Sequence, residues 1–192
     1  VIHLPAQSTP FIGREQEVAD ITKSLKDPAC RLVTITGLGG IGKTRLAIQV
    51  AQGLLDFFSY GIVFIPLSSW QSEELLLSTI AEQVKFSFQG QIEPKEELVN
   101  YLHNKEILFV FDNFEHLIDG ADLLAEMLAR APLLKMLVTS RQRLSLQGEW
   151  LYEIEGLSLP DSEQPVCMEG CSSVLLFAQS ARRHQSDFML RK

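Results

Sequence analysis

Arg31-Leu32-Val33-Thr34-Ile35-Thr36-Gly37-Leu38-Gly39-Gly40-Ile41-Gly42-Lys43-Thr44 is the stretch that sets the architecture. Its first six residues are apolar and β-branched and read as a strand. Its last eight fit the spacing G-x-x-x-x-G-K-[ST]. From residue 43 the period changes. Leu46, Ala47, Val50, Ala51, Leu54 and Leu55 share one face, which predicts a helix over 43–57. Strand, glycine loop and helix in that order build an anion cradle. Glycine lets the backbone wrap closely around a phosphate, successive N–H groups point inward, and the helix N-terminus adds a positive dipole end. In such a loop Lys43 reaches the outer phosphates and the Thr44 hydroxyl ligates Mg²⁺.

Outward from this unit the same alternation recurs. Strands are predicted at 61–66, 107–111, 136–139 and 150–154, and helices at 14–26, 72–85, from Pro94 onward, and at 117–130. Continuous apolar strands alternating with helices give a parallel sheet covered on both faces, an α/β fold in three layers, α/β/α. Residues 161–166 read as a linker and 171–183 as another amphipathic helix. The expected division is a nucleotide-binding domain at 1–160, with 1–10 as its tail, and a linker plus the first helix of a helical subdomain at 161–192.

Composition narrows the class. The chain has 192 residues, 46% apolar and 21% charged, values of a globular protein. The longest apolar run, Ile107-Leu108-Phe109-Val110-Phe111, is far short of the ~20 residues that cross a bilayer. Val1-Ile2-His3-Leu4-Pro5 is no secretory leader, and a start without Met reads as part of something longer. A net charge of -7 repels a phosphate backbone, so direct nucleic-acid contact by this stretch is not expected. Cys30, Cys167 and Cys171 lack metal-site spacing and read as free thiols of the cytoplasm. The four histidines are scattered and read as non-ligands.

The third predicted strand ends Phe111-Asp112-Asn113. An acid at the C-terminal end of a buried strand is the second half of a phosphate-loop site, and Asp112 is expected to hold Mg²⁺ through its water shell. Its other reading is a helix cap. Asn113 stands where a water-activating acid is usual, and an amide positions water without taking its proton. Glu115 is the candidate substitute; its bland reading is a first-turn acid on the helix dipole. Where the fourth strand lies between the first and third, Arg141 at its end faces the terminal phosphate. One charge-assisted hydrogen bond there contributes about 1.5–3 kcal/mol, enough to separate ATP from ADP roughly ten- to a hundredfold. Phe11 and Ile12 precede the first helix, either as a cover for an adenine ring or as a hydrophobic staple.

Taken together, residues 9–15 (TPFIGRE), 37–47, 108–117 (LFVFDNFEHL), 137–141 (LVTSR) and 173–182 (SVLLFAQSAR) resemble the STAND class of signal-transduction ATPases. These are related to the AAA+ and NB-ARC groups, and the likeness is to the branch of bacterial LuxR-like and antibiotic-regulatory-protein-like transcription regulators. The resemblance implies a five-stranded parallel sheet of order 5-1-4-3-2. It implies that Phe11, Ile12 and Arg14 line the adenine and ribose pocket, and that Arg141 senses the terminal phosphate. Such ATPases rest with ADP, exchange to ATP on a signal and self-associate. The Gly-Leu-Pro-Leu motif of that family is not found here.

Residue reading and resemblance together give the nucleotide set Phe11, Ile12, Arg14, Gly37, Gly39, Gly40, Ile41, Gly42, Lys43, Thr44 and Arg45, with the metal on Thr44 and Asp112. Hydrolysis falls to Lys43, Asp112, Asn113, Glu115 and Arg141. The expected function is an ATP/ADP switch with slow Mg²⁺-dependent hydrolysis. The alternatives are a small-molecule kinase or a nucleotide-locked scaffold. A GTPase reading fails, because Asn104-Lys105-Glu106-Ile107 lacks the base-reading acid and precedes a strand.

Overall fold

Each apolar run forms a strand in the computed structural model, which describes residues 2–67, 72–90, 92–159, 171–185 and 188–189. The strands are β1 (Ile2–His3), β2 (Leu32–Thr36), β3 (Gly61–Pro66), β4 (Ile107–Asp112), β5 (Lys135–Ser140) and β6 (Glu149–Glu153). They make one sheet of order β1-β3-β4-β5-β2-β6, with every neighbouring pair parallel. The five strands expected from sequence are β2 to β6, and their order is the expected one. The addition is β1, where the tail pairs Ile2 with Ile62 and His3 with Val63. Two residues carry no periodicity, so this edge had no signal in the sequence.

The helices are α1 (Glu15–Lys26), α2 (Lys43–Gln52), α3 (Glu73–Gln83), α4 (Pro94–Leu102), α5 (Ala121–Arg130) and α6 (Ser172–His184). Two depart from expectation. The helix predicted over 43–57 stops at Gln52. Gly53 closes it, and Leu54 and Phe57 continue as turns, their N–H groups bonded to Ala51 and Leu54 carbonyls. The helix predicted over 117–130 begins only at Ala121. Two short 3₁₀ turns, Phe114–His116 and Ile118–Gly120, precede it, separated by Leu117, whose backbone (φ −137°, ψ 37°) is not helical. The linker expected at 161–166 lies outside the described residues.

Strand alternation splits the core. Phe109, Phe111, Met136, Val138, Val63 and Ile65 face α3, α4 and α5, while Leu108, Val110, Leu137, Val33, Ile35 and Ile62 face α1 and α2. Nearly all are fully buried. With both faces covered, ligand chemistry is left to the strands' C-terminal ends. There β5 sits between β2 and β4. That order brings the loop after β2, the acid ending β4 and the arginine after β5 to one rim.

Candidate functional site

The glycine loop leaves β2 and enters α2 at Lys43. Gly37 (φ 150°) packs so tightly that a Cβ there would lie 2.7 Å from the Ile154 carbonyl oxygen. Gly40 (φ 76°) and Gly42 (φ 101°) are also left-handed, and a Cβ at either would meet nothing within 4 Å. The two sides of the loop thus differ. One is pressed against the sheet, and the other opens into a cavity of ≈ 290 Å³ whose lining includes Gly42, Lys43, Thr44, Asn113, Glu115 and Arg141.

Lys43 is almost fully buried and arches back over the loop, its ammonium donating to the Gly37 and Leu38 carbonyls at 2.8 and 2.9 Å. Burial lowers its pKa. The charges of Glu115 and Asp112 oppose that shift, and Arg141 adds to it.

Asp112 ends β4 and is 5% exposed. Its Oδ1 accepts from the Thr44 hydroxyl at 2.7 Å and from the Thr139 hydroxyl at 2.6 Å. A carboxylate and a hydroxyl converging beside a phosphate-sized cavity are hard oxygen donors suited to Mg²⁺. Nothing in the sequence singles out Thr139. Its one signal was a hydroxyl near the end of a buried strand, and threonine is common in strands for packing reasons alone.

Asn113 follows in the left-handed region, its N–H bonded to Thr139 Oγ1 at 3.0 Å. Glu115 sits on the 3₁₀ turn after it, not on the first turn of α5. Its Oε1 pairs with Arg141 Nε at 3.1 Å, while Oε2 is buried without a partner. Arg141 is two-thirds exposed, with its guanidinium over Gly39. The two residues expected to act on the terminal phosphate are therefore in contact across the rim.

A second cavity of ≈ 680 Å³ runs along the other side of the loop, between Gly37, Leu38, Gly39 and Ile41, the Arg141-Gln142-Arg143 segment and the end of β6. Arg14 supports that wall from behind. Its guanidinium donates to the Ile41 carbonyl at 3.2 Å, to the Glu155 carbonyl at 2.6 Å and to Glu17 at 3.1 Å. Phe11 packs against the α1–α2 core cluster, and neither Phe11 nor Ile12 lines these two cavities. Arg45 lines the smaller cavity, and its guanidinium donates to the Thr9 and Pro10 carbonyls at 2.9 and 2.8 Å. No cluster of three or more His, Cys, Asp or Glu suited to a metal occurs among the described residues. No helix among them is long and apolar enough to cross a membrane.

This sheet order, the glycine loop and the acid on the strand two positions away make the fold of a P-loop NTPase. The family model described as NB-ARC domain matches residues 14–147, and the chain belongs to that family. It is 31% identical over 183 residues to the uncharacterised protein Rv0894 of Mycobacterium tuberculosis, covering 95% of this chain and 44% of that one. It is 35% identical over 163 residues to "Putative HTH-type transcriptional regulator Rv0890c" of the same organism, covering 83% of this chain and 17% of that one. The chain thus spans less than half the length of these relatives. In fold it resembles the STAND protein with a tetratricopeptide repeat sensor from Pyrococcus horikoshii. The TM-score is 0.53 at 19% identity, over 97% of this chain and 27% of that one.

Proposed function

We propose that this chain is an ATP/ADP switch that hydrolyses ATP slowly with Mg²⁺, working as the nucleotide-binding domain of a larger bacterial regulator in the cytoplasm. The observation that carries the reading is the 2.7 Å contact between the Thr44 hydroxyl and the Asp112 carboxylate, beside a cavity also lined by Lys43. Amides of residues 37–44 and the Lys43 ammonium hold the phosphates. Thr44 and Asp112 would hold Mg²⁺, which when bound would supply positive charge against the phosphates. Arg141 reads the γ-phosphate. Glu115, with a buried oxygen free of partners, orients the attacking water, and Asn113 assists through its amide. The family resemblance assigns Phe11, Ile12 and Arg14 to the base and ribose side, and Arg14 supports that side by bracing the Ile41 and Glu155 carbonyls behind the larger cavity.

The regulatory output rests on the 35% identical relative that carries a transcriptional-regulator name. In this reading α6 (Ser172–His184) is the first helix of a helical subdomain, and the ATP form self-associates. Three measurements test the switch: which nucleotide is retained on purification, ADP and ATP affinities by calorimetry, and phosphate release over hours. Retained ADP with slow release supports it. Tight binding without any release leaves a locked scaffold, and no binding of either nucleotide overturns it. Arg141→Ala is expected to keep ADP affinity and to lose roughly ten- to a hundredfold in preference for ATP, the value of one charge-assisted hydrogen bond. An unchanged ATP/ADP ratio removes Arg141 from the sensor role.

A further inference from the structure

Thr139 has no part in the reading above, yet it touches both residues at the turn out of β4. It lies one residue before the end of β5 and has no exposed surface. Its hydroxyl donates to Asp112 Oδ1 at 2.6 Å and accepts from the Asn113 N–H at 3.0 Å. A hydroxyl has one proton, and here the carboxylate takes it. A lone pair remains for the amide, so the group is oriented from both sides.

Asp112 Oδ1 is thus gripped by two hydroxyls, Thr44 from α2 and Thr139 from β5. The bond to Thr139 crosses between neighbouring strands whose register (Phe111 opposite Val138) brings the two side chains together. The bond from Asn113 holds the left-handed turn from which Glu115 departs. Packing alone would be served by valine, as at Val138 next door. A buried hydroxyl costs free energy unless it is hydrogen-bonded, and this one both donates and accepts.

We propose that Thr139 is a positioning residue for the metal-binding carboxylate. It aims Asp112 at the Thr44 hydroxyl and fixes the Asn113 turn, so that the acid meets a cation without first reorganising. The proposal rests on the reading of Thr44 and Asp112 as the Mg²⁺ ligands.

The test is calorimetric titration of ADP into the protein, once with excess Mg²⁺ and once with EDTA, for wild type, Thr139→Val and Thr139→Ser. The quantity read is the gain in ADP affinity that Mg²⁺ confers, which needs no turnover. Thr139→Val is expected to lose at least fivefold of that gain while its affinity in EDTA stays within twofold of wild type. Thr139→Ser, which keeps the hydroxyl, is expected to keep the gain. A full gain in Thr139→Val, or a loss in Thr139→Ser equal to that in Thr139→Val, overturns the proposal. Should Thr139→Val fail to fold by circular dichroism, Thr139→Ala takes its place against Thr139→Ser with the same outcomes. A wild-type protein with no Mg²⁺ gain sinks the metal reading and the proposal together; a wild-type gain that survives in Thr139→Val sinks only the proposal.

Discussion

Cys30 has no exposed surface, and burial pushes its thiol from an ordinary 9.0 up to about 11, with the nearby Lys135 charge pulling the other way. A raised folded pKa means the neutral form is the one the fold accommodates. Its stabilising contribution is complete below pH 9 and is lost as pH rises to 11. We expect denaturant-determined stability to fall across that window by an amount of order 2 kcal/mol that is absent in Cys30→Ala, read as the difference between the two proteins. Equal pH slopes would contradict this. The same scale shows why some site residues were legible and others were not. Lys43, Thr44 and Asp112 are bound to fixed spacings and strand ends, which a sequence displays directly. Thr139 acts through a cross-strand bond that depends on register, and register is set by the folded sheet.

At the scale of elements, strands and helices followed from periodicity, while their ends did not. Residues 53–57 keep the apolar face of α2, so the pattern continued where the hydrogen bonds changed to turns. The stretch between β4 and α5 looked helical for the same reason, and Leu117, non-helical at φ −137°, divides it into two 3₁₀ turns. Arg14 shows how elements are joined around the loop. Its guanidinium, 6% exposed, ties α1 to the Ile41 carbonyl and to the Glu155 carbonyl beyond β6. Arg14→Ala removes charged hydrogen bonds of about 1.5–3 kcal/mol each, so ADP affinity is expected to fall about tenfold or more with helix content unchanged. Lysine, a point donor without the planar fork, is not expected to restore it. Calorimetry with circular dichroism checks both variants, and full affinity in Arg14→Ala would detach this support from binding.

For the whole molecule, the sheet order was legible through the family resemblance more than through any strand taken alone. Five apolar runs allow many orders, and it was the loop and acid motifs that selected one. The site spans three strands of that sheet, so a ligand gripping its rim stabilises the domain as a unit. Nucleotide at 100 times its Kd is expected to add about 2.7 kcal/mol, which for a chain of this size is roughly 5–10 °C in Tm. Lys43→Ala is expected to abolish that shift, and a retained shift would contradict the Lys43 assignment. The tail carries a last consequence. Its first residues lie along β3 at one edge of the sheet, and a few positions later Thr9 and Pro10 are clasped by Arg45, two residues past Lys43 on α2. Gln7 adds a bond from its side-chain amide to the Arg45 carbonyl at 3.3 Å, so a pull on the tail would be shared between the sheet edge and the helix that opens the phosphate cradle.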